Sequence, residues 1–208
     1  MDKTLVIIAT DGSAKKARTG FDCASGCCVY TPQDRNFIVN FEKLDDDATV
    51  SVAEITGVLL GLKAISGMDK SKYDFVFLID SEYIQKSVTV WYPGWIKRMK
   101  EDGIPRTSSG QPVKHFDKIQ KAFKKLSGIG AKVFKIRSHI PENKMEETHK
   151  EFCKINKIDI SFDMYKIFVE CNKICDAIVE SRSLETPFDM SNNLMDMYDM
   201  YNKKFEKD

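Results

Sequence analysis

Two short apolar segments, each followed directly by an aspartate, place the strongest constraint on how this chain can fold. The segment TLVIIAT at 4–10 precedes Asp11, and FVFLI at 75–79 precedes Asp80. Their β-branched and apolar residues predict buried strands, and Asp11-Gly12-Ser13 predicts a turn after the first one. Neither segment approaches the roughly 20 apolar residues that a membrane-spanning helix needs. We therefore expect no association with a membrane.

The order of the other patterned segments predicts the architecture. Strands at 27–30 and 37–41 follow the first one closely, so the three can pair as hairpins. The strands at 75–79 and 131–136 are reached through helices, which favours parallel crossovers. We predict helices at 52–65, 81–100 (interrupted at Pro93-Gly94), 113–126, 142–154 and 162–180. The predicted fold class is α/β, with a mixed five-stranded sheet and helices on both faces.

The last part of the chain predicts one additional helix. The 208 residues suit one ordinary domain with an extra element. Residues 184–208 carry an apolar stripe at helical spacing, formed by Leu194, Tyr198, Tyr201 and Phe205. We expect this C-terminal helix to pack on the domain.

Charge is distributed unevenly along the chain. The 32 basic and 31 acidic residues give a net charge of +1, which argues against a globally basic nucleic-acid binder. Residues 94–137, however, contain 12 basic and only 3 acidic residues. We call this segment the basic block. Its net charge of +9 indicates a local anionic partner, although a solvated helix surface has the same pattern.

The six cysteines do not show the two-residue spacing that is typical of zinc sites. Reduced thiols are therefore expected, which is typical of the cytoplasm or another reducing intracellular compartment.

Four carboxylates can meet at the ends of the predicted strands. Asp11 and Asp80 follow two strands, Glu54 lies one turn into the helix at 52–65, and Asp176 lies in the last predicted helix. Carboxylates this close repel one another unless a cation is bound. Oxygen ligands favour Mg²⁺ or Mn²⁺. A pair of such ions would activate water and stabilise the leaving oxygen in phosphodiester hydrolysis. Each aspartate alone would also suit a turn or a helix cap.

These acidic segments occur in a familiar order. The chain resembles the type 1 ribonuclease H family, in particular the bacterial type with a basic protrusion. The acidic motifs are TDGSA at 10–14, AEITGVLLGL at 53–62, DSEYI at 80–84 and NKICDAIVES at 172–181. The tryptophan-rich helix, basic protrusion and histidine loop are similar to SVTVWYPGWIKRMKEDG at 87–103, GQPVKHFDKIQKAF at 110–123 and VFKIRSHIPEN at 133–143.

The resemblance implies a ribonuclease H-like fold and an endonuclease that hydrolyses the RNA strand of RNA–DNA hybrids, leaving 3′-hydroxyl and 5′-phosphate ends. Two Mg²⁺ or Mn²⁺ ions would be held by Asp11, Glu54, Asp80 and Asp176, and His139 would assist proton transfer or product release. We expect a monomer. The residues that would hold hybrid phosphates are Lys97, Arg98, Lys100, Arg106 and Lys114.

Three positions depart from the family pattern. The family usually has Gln at the position of Glu82, Asn or Gln at that of Ser51, and often a polar amide near Ala17. An ionised carboxylate at Glu82 accepts hydrogen bonds but donates none. Ser51 and Glu82 therefore stay candidate nucleic-acid contacts, with hybrid specificity weaker or differently built.

The fourth acid allows two alignments. About thirty extra residues precede Asp176, which implies a ribonuclease H-like domain at 1–183 with a helical insert at about 144–168. The family-like Pro141-Glu142-Asn143 would instead make Glu147 the fourth acid. We favour Asp176, because Asn172 and Cys175 match the family together with it.

Two other functions fit the same fold. The chain could be a non-catalytic nucleic-acid-binding module, against which the retained acids argue. It could also be a DNA nuclease or resolvase, which the changes at Ser51 and Glu82 favour.

Overall fold

The first strand extends well beyond its apolar part. A computed structural model describes residues 3–16, 20–33, 36–45 and 48–182 of the chain. Strand β1 spans Thr4–Lys16, so the predicted turn at 11–13 is wrong. The strand continues because its pairing with the next strand includes Asp11 opposite Gly26 and ends at Lys16 opposite Phe21. Asp11 therefore lies inside a strand.

The sheet has five strands in the order β3-β2-β1-β4-β5. The first three pair antiparallel as consecutive neighbours, and β1–β4 and β4–β5 are parallel. The remaining strand bounds are β2 Phe21–Thr31, β3 Asn36–Lys43, β4 Tyr73–Ile79 and β5 Lys132–Lys135. The predicted fold class, a mixed sheet with hairpins followed by crossovers, is confirmed.

Helices cover both faces of the sheet, because alternate strand residues point to opposite sides. The main helices are α1 Val50–Ala64, α4 Phe116–Ile129, α5 Met145–Asn156 and α6 Phe162–Ser181, with a short 3₁₀ turn at Glu142–Lys144. On one face Val6, Ile8 and Phe77 belong to a core shared with α1 and α4. On the other face Ile7 and Leu78 belong to a core shared with α5 and α6. None of the helices in the described ranges has both the length and the hydropathy needed to cross a membrane.

The predicted break at Pro93-Gly94 is wrong. The chain runs as α2 Glu82–Lys86, a π-helical segment Ser87–Trp91 and α3 Tyr92–Lys97 without leaving the helical state. Pro93 is the second residue of α3 and cannot donate a backbone hydrogen bond to the preceding turn. The wider π turn before it accommodates the lost hydrogen bond.

Two other predictions have different outcomes. Helix α4 begins at Phe116, three residues later than expected, after His115 with a positive φ of 53°. The C-terminal helix at 184–208 lies outside the described residues. The division into a domain at 1–183 with an insert at 144–168 stays a prediction.

Candidate active site

Asp11 and Asp80 are neighbours because each directly follows the last residue pair that joins the parallel strands β1 and β4. The pairing of β1 with β4 ends at Thr10 opposite Ile79. The next residues are Asp11, in the part of β1 that pairs with β2 alone, and Asp80, which follows β4. The sheet therefore places both carboxylates at the same edge.

Two glycines bring Glu54 of α1 close to Asp11. A Cβ added to Gly12 would lie 2.2 Å from the backbone nitrogen of Glu54, and one added to Gly57 would lie 2.6 Å from the Asp11 carbonyl oxygen. Only glycine permits this direct contact of helix and strand backbones. The Ser25 hydroxyl fastens the same turn by donating to the Ala53 carbonyl at 2.7 Å.

The three carboxylates form one cluster, which we call the carboxylate cluster. One ligand oxygen from each of Asp11, Glu54 and Asp80 lies within 4.8 Å of the others. Glu54 is only 9% exposed. Its Oε2 atom and Oδ1 of Asp80 are buried without a hydrogen-bond partner in the described part of the chain. An all-oxygen group with unpaired buried oxygens fits a hard divalent cation such as Mg²⁺.

The electrostatics show how costly this arrangement is without a cation. Burial, and then the charge of Asp80, raises the pKa of Asp11 to about 6. Burial, and then the charges of Asp80, Asp11 and Asp176, raises the pKa of Glu54 to about 10. The group therefore cannot ionise fully near neutral pH unless positive charge is supplied.

Asp176 lies within reach of the cluster's charges. It is 8% exposed on α6, and Asn172 Nδ2 donates to its Oδ1 at 3.2 Å. Burial, and then Asp11 and Asp80, raises the pKa of Asp176 to about 8. Glu180, four residues further along the helix, adds negative charge that acts on both Asp176 and Asp11.

The alternative fourth acid lies in a different setting. Glu147 is exposed on α5 and accepts a hydrogen bond from Lys144 Nζ at 2.8 Å. Lys144, with a smaller contribution from Arg137, lowers the pKa of Glu147. The charges of Asp11 and Asp80 therefore act on Asp176, which is not among the three residues whose ligand oxygens lie within 4.8 Å of one another, whereas Glu147 is paired with a lysine.

His139 lies on an exposed loop after β5, with a positive φ of 51°. Its charge acts on Asp11 and opposes the rise in the pKa of that carboxyl. In the same loop, the Ser138 hydroxyl donates to Asp80 Oδ2 at 2.9 Å. The histidine loop is therefore tied to the cluster through Ser138.

Sequence reasoning missed Lys135 and Glu180. Lys135 is the last residue of β5 and is paired in register with Ile79, directly before Asp80. That register could not be read from the sequence. Glu180 could have been found from the sequence, because a residue four positions after Asp176 lies on the same face of a helix.

The basic block divides into two parts by what its side chains contact. Arg98 Nε donates to the Arg106 carbonyl at 3.1 Å, and Arg106 forms an ion pair with Asp102 and donates to the Ile104 carbonyl at 3.0 Å. These contacts hold the loop after α3 together. Lys97, Lys100 and Lys114 are exposed, as are Lys121, Lys124, Lys125 and Lys132 elsewhere in the basic block.

The remaining candidate contacts lie at the starts of two helices. Ser51 lies in the first turn of α1 and is partly exposed. Glu82, the first residue of α2, forms an ion pair with Lys86, which lowers the pKa of Glu82. Lys86 Nζ lies 5.9 Å from the ring centre of the exposed Trp91, while Trp95 is buried. The unusual carboxylate at 82 thus has its own cation.

Comparison with known proteins identifies the family. Residues 3–161 match the family model described as RNase H. The chain belongs to the RNase H family. Ribonuclease H of Schizosaccharomyces pombe is 28% identical over 134 residues, which are 64% of this chain and 46% of that protein. The chain thus spans less than half of this relative.

Solved RNase H structures share the fold. LC9-RNase H1, described as a type 1 RNase H with the type 2 active-site motif, is 18% identical, with a TM-score of 0.51 over 83% of this chain and 86% of that one. A foamy viral protease-reverse transcriptase in complex with an RNA/DNA hybrid is 16% identical, with a TM-score of 0.51 over 74% of this chain and 19% of that one. Likeness at this identity shows the fold alone.

The family match and the geometry differ about the last acidic position. The matched residues end at 161, so they include Glu147 and stop before Asp176. In space, however, the charges of Asp11 and Asp80 act on Asp176, and the charge of Asp176 acts on Glu54. An alignment that ends at 161 cannot detect the interaction of Asp176 with these carboxylates, because α6, which carries Asp176, follows the additional helix α5.

Proposed function

We propose that this chain is a divalent-metal-dependent endonuclease that hydrolyses the RNA strand of RNA–DNA hybrids and leaves 3′-hydroxyl and 5′-phosphate ends. The observation that carries the proposal is the carboxylate cluster, with its buried unpaired oxygens and its raised pKa values, in a chain of the RNase H family.

The proposed ligands are Asp11, Glu54 and Asp80, with Asp176 as the fourth acid in preference to Glu147. A pair of Mg²⁺ or Mn²⁺ ions bound there would lower the pKa of a bound water and stabilise charge on the leaving oxygen. The chain's own contribution is rigidity. Backbone contact fixes Glu54 against Asp11, and the hydroxyl of Ser138 fixes one oxygen of Asp80.

His139 is proposed to move a proton. Hydrolysis adds a water oxygen to phosphorus and breaks the bond from phosphorus to O3′, so a proton must leave the water and another must reach O3′. An exposed histidine whose charge acts on Asp11 is placed to carry such a proton, or to assist release of the product.

Hybrid binding is proposed for Lys97, Lys100 and Lys114, three exposed lysines of the basic block. Arg98 and Arg106 would contribute mainly by shaping the loop that presents these lysines, because their side chains are engaged within it. Phosphate contacts position a duplex, whereas selection for RNA requires contacts to 2′-hydroxyls in the minor groove. Ser51 and Glu82 are the candidates for that selection.

The test is cleavage of an end-labelled hybrid with Mg²⁺, Mn²⁺ or a chelator, alongside a DNA duplex that contains a short ribonucleotide stretch. We expect metal-dependent cuts only at ribonucleotides, with 5′-phosphate products. Equal cutting of an all-DNA duplex would favour a DNA nuclease or resolvase instead. Binding without cutting would favour a non-catalytic module. The monomeric state and the reducing compartment stay predictions.

A further inference from the structure

Lys135 places a positive charge beside the carboxylate cluster. Its side chain is half-buried at the end of β5. The ammonium donates to the carbonyl oxygen of Ile136 at 2.7 Å and to the carbonyl oxygen of Asp80. The carbonyl oxygens of Asp80 and Ile136, which directly follow the neighbouring strands β4 and β5, therefore fix the position of the Lys135 ammonium.

Nearby carboxylates favour the charged form of Lys135, whereas burial disfavours it. Burial lowers the pKa of Lys135, while Asp80, Glu82, Glu54 and Glu151 act in the opposite direction. In return, Lys135 opposes the rise in the pKa of Glu54.

Two of these four acids already have another cation. Glu82 is paired with Lys86, and Glu151 lies 3.9 Å from Arg137. Glu54 and Asp80 are the two that belong to the carboxylate cluster, and each keeps a buried oxygen without a hydrogen-bond partner in the described residues. Lys135 therefore acts on two acids that have another cation and on two, Glu54 and Asp80, that have no ion pair with another described side chain.

We propose that Lys135 is a positioning residue that serves as a built-in counter-ion of the carboxylate cluster. It reduces the repulsion between Glu54 and Asp80 before divalent ions bind, and it opposes the binding of those ions. This inference rests on the proposed function, because it assumes that the cluster binds divalent ions.

The inference predicts two effects of opposite sign, which an ordinary packing role would not produce. Removing the charge should destabilise the metal-free protein, because repulsion in the cluster loses its counter-ion. The same change should strengthen ion binding, because the incoming ion no longer meets a fixed ammonium. A side chain that only packs would lower stability equally with and without the ion.

The experiment measures Mg²⁺ and Mn²⁺ binding to the full chain by calorimetry without nucleic acid, together with thermal unfolding in chelator and in saturating Mg²⁺. The variants are Lys135→Met and Lys135→Arg. Lys132→Met is the matched control, because Lys132 is exposed at the other end of β5. Lys135→Gln, which keeps a donor for one carbonyl, replaces Lys135→Met if that variant does not fold.

We expect Lys135→Met to tighten ion binding about tenfold, as expected for removal of one nearby positive charge. It should also lower Tm in chelator and increase the gain in Tm on adding Mg²⁺. Lys135→Arg and Lys132→Met should bind ions like the wild type. Unchanged or weaker binding by the uncharged variants would overturn the role of Lys135 while leaving the proposed function intact. Absence of ion binding by the wild type would overturn both.

Discussion

The carboxylate cluster and the basic block carry opposite charges and are built in opposite ways. The carboxylates are fixed by the sheet and by backbone contact with α1, and they are largely buried with oxygens left unpaired. Lys97, Lys100 and Lys114 of the basic block lie on exposed surfaces, and Arg98 and Arg106 are engaged in the loop after α3. One region holds like charges together in a rigid frame, whereas the other leaves its charges in solvent.

This difference separates stability from function in the two regions. Repulsion within the cluster costs folding free energy whenever the cation is missing, so its charges are expected to destabilise the metal-free fold. Exposed lysines cost little, and their removal is expected to affect only the binding of an anionic partner.

The largest expected effect is loss of cleavage on removing one charge of the cluster. Asp80→Asn should reduce the rate of hybrid cleavage on the order of a thousandfold or more, since metal stabilisation of the transition state is worth several kcal/mol. Hybrid binding without cleavage, measured by fluorescence anisotropy, should persist. The matched control is Asp74→Asn on β4, the strand that Asp80 follows; the exposed carboxylate of Asp74 lies 3.6 Å from Lys3 Nζ. Activity retained in Asp80→Asn would disprove the metal site.

The second effect is a pH dependence of stability that the buried acids of the site should produce. The raised pKa values of Asp11 (about 6), Glu54 (about 10) and the neighbouring Asp176 (about 8) mean that the folded state holds protons that the unfolded state releases. Their contribution is present below about pH 4 and is lost as the pH rises through these values.

Denaturant unfolding in chelator should therefore give a free energy about 2 kcal/mol or more lower at pH 8.5 than at pH 5.5. Saturating Mg²⁺ should remove most of this difference, because the ion supplies the missing positive charge. A metal-free protein equally stable at both pH values would show that the cluster is not strained.

The third effect concerns the exposed lysines. The double change Lys97→Gln and Lys100→Gln should weaken hybrid binding about tenfold at low salt and make the salt dependence shallower by about two units, if each lysine neutralises one phosphate. Stability should not change. Lys150→Gln with Lys154→Gln, two exposed lysines of α5, is the control of equal charge. An unchanged salt slope would mean that the block is only a solvated surface.

The smallest effect is expected at Arg106. Arg106→Gln breaks the ion pair with Asp102 and removes donors to the loop, so limited proteolysis between α3 and α4 should become faster. Global stability should stay close to that of the wild type, because the pair is exposed. If Arg106→Gln instead lowered hybrid affinity without faster proteolysis, Arg106 would contact phosphate directly.

The sequence predicted the features that depend on local pattern. Apolar runs identified the strands, helical spacing identified α1, and the acidic motifs indicated which residues meet at the sheet edge. The clustering of Asp11, Glu54 and Asp80 joins residues that are far apart in the sequence, and it could be predicted because the carboxyl ends of parallel strands meet at one edge of a sheet.

The features that the sequence did not predict depended on the exact extent and register of pairing between distant segments. The turn expected at Asp11 is replaced by strand because β2 supplies partners for it up to Lys16. The Lys135 ammonium reaches the Asp80 carbonyl only because β5 pairs with β4 in one particular register. The engagement of Arg106 within its own loop likewise depends on how that loop closes, which composition does not reveal.

Gly12 and Gly57 have one consequence for the spacing of the carboxylates. Because backbone touches backbone there, the distance from Asp11 to the helix that carries Glu54 is set by main-chain thickness and cannot be adjusted by a change of side-chain rotamer. A side chain inserted at either glycine would therefore push β1 and α1 apart and change the spacing between the carboxylates of Asp11 and Glu54.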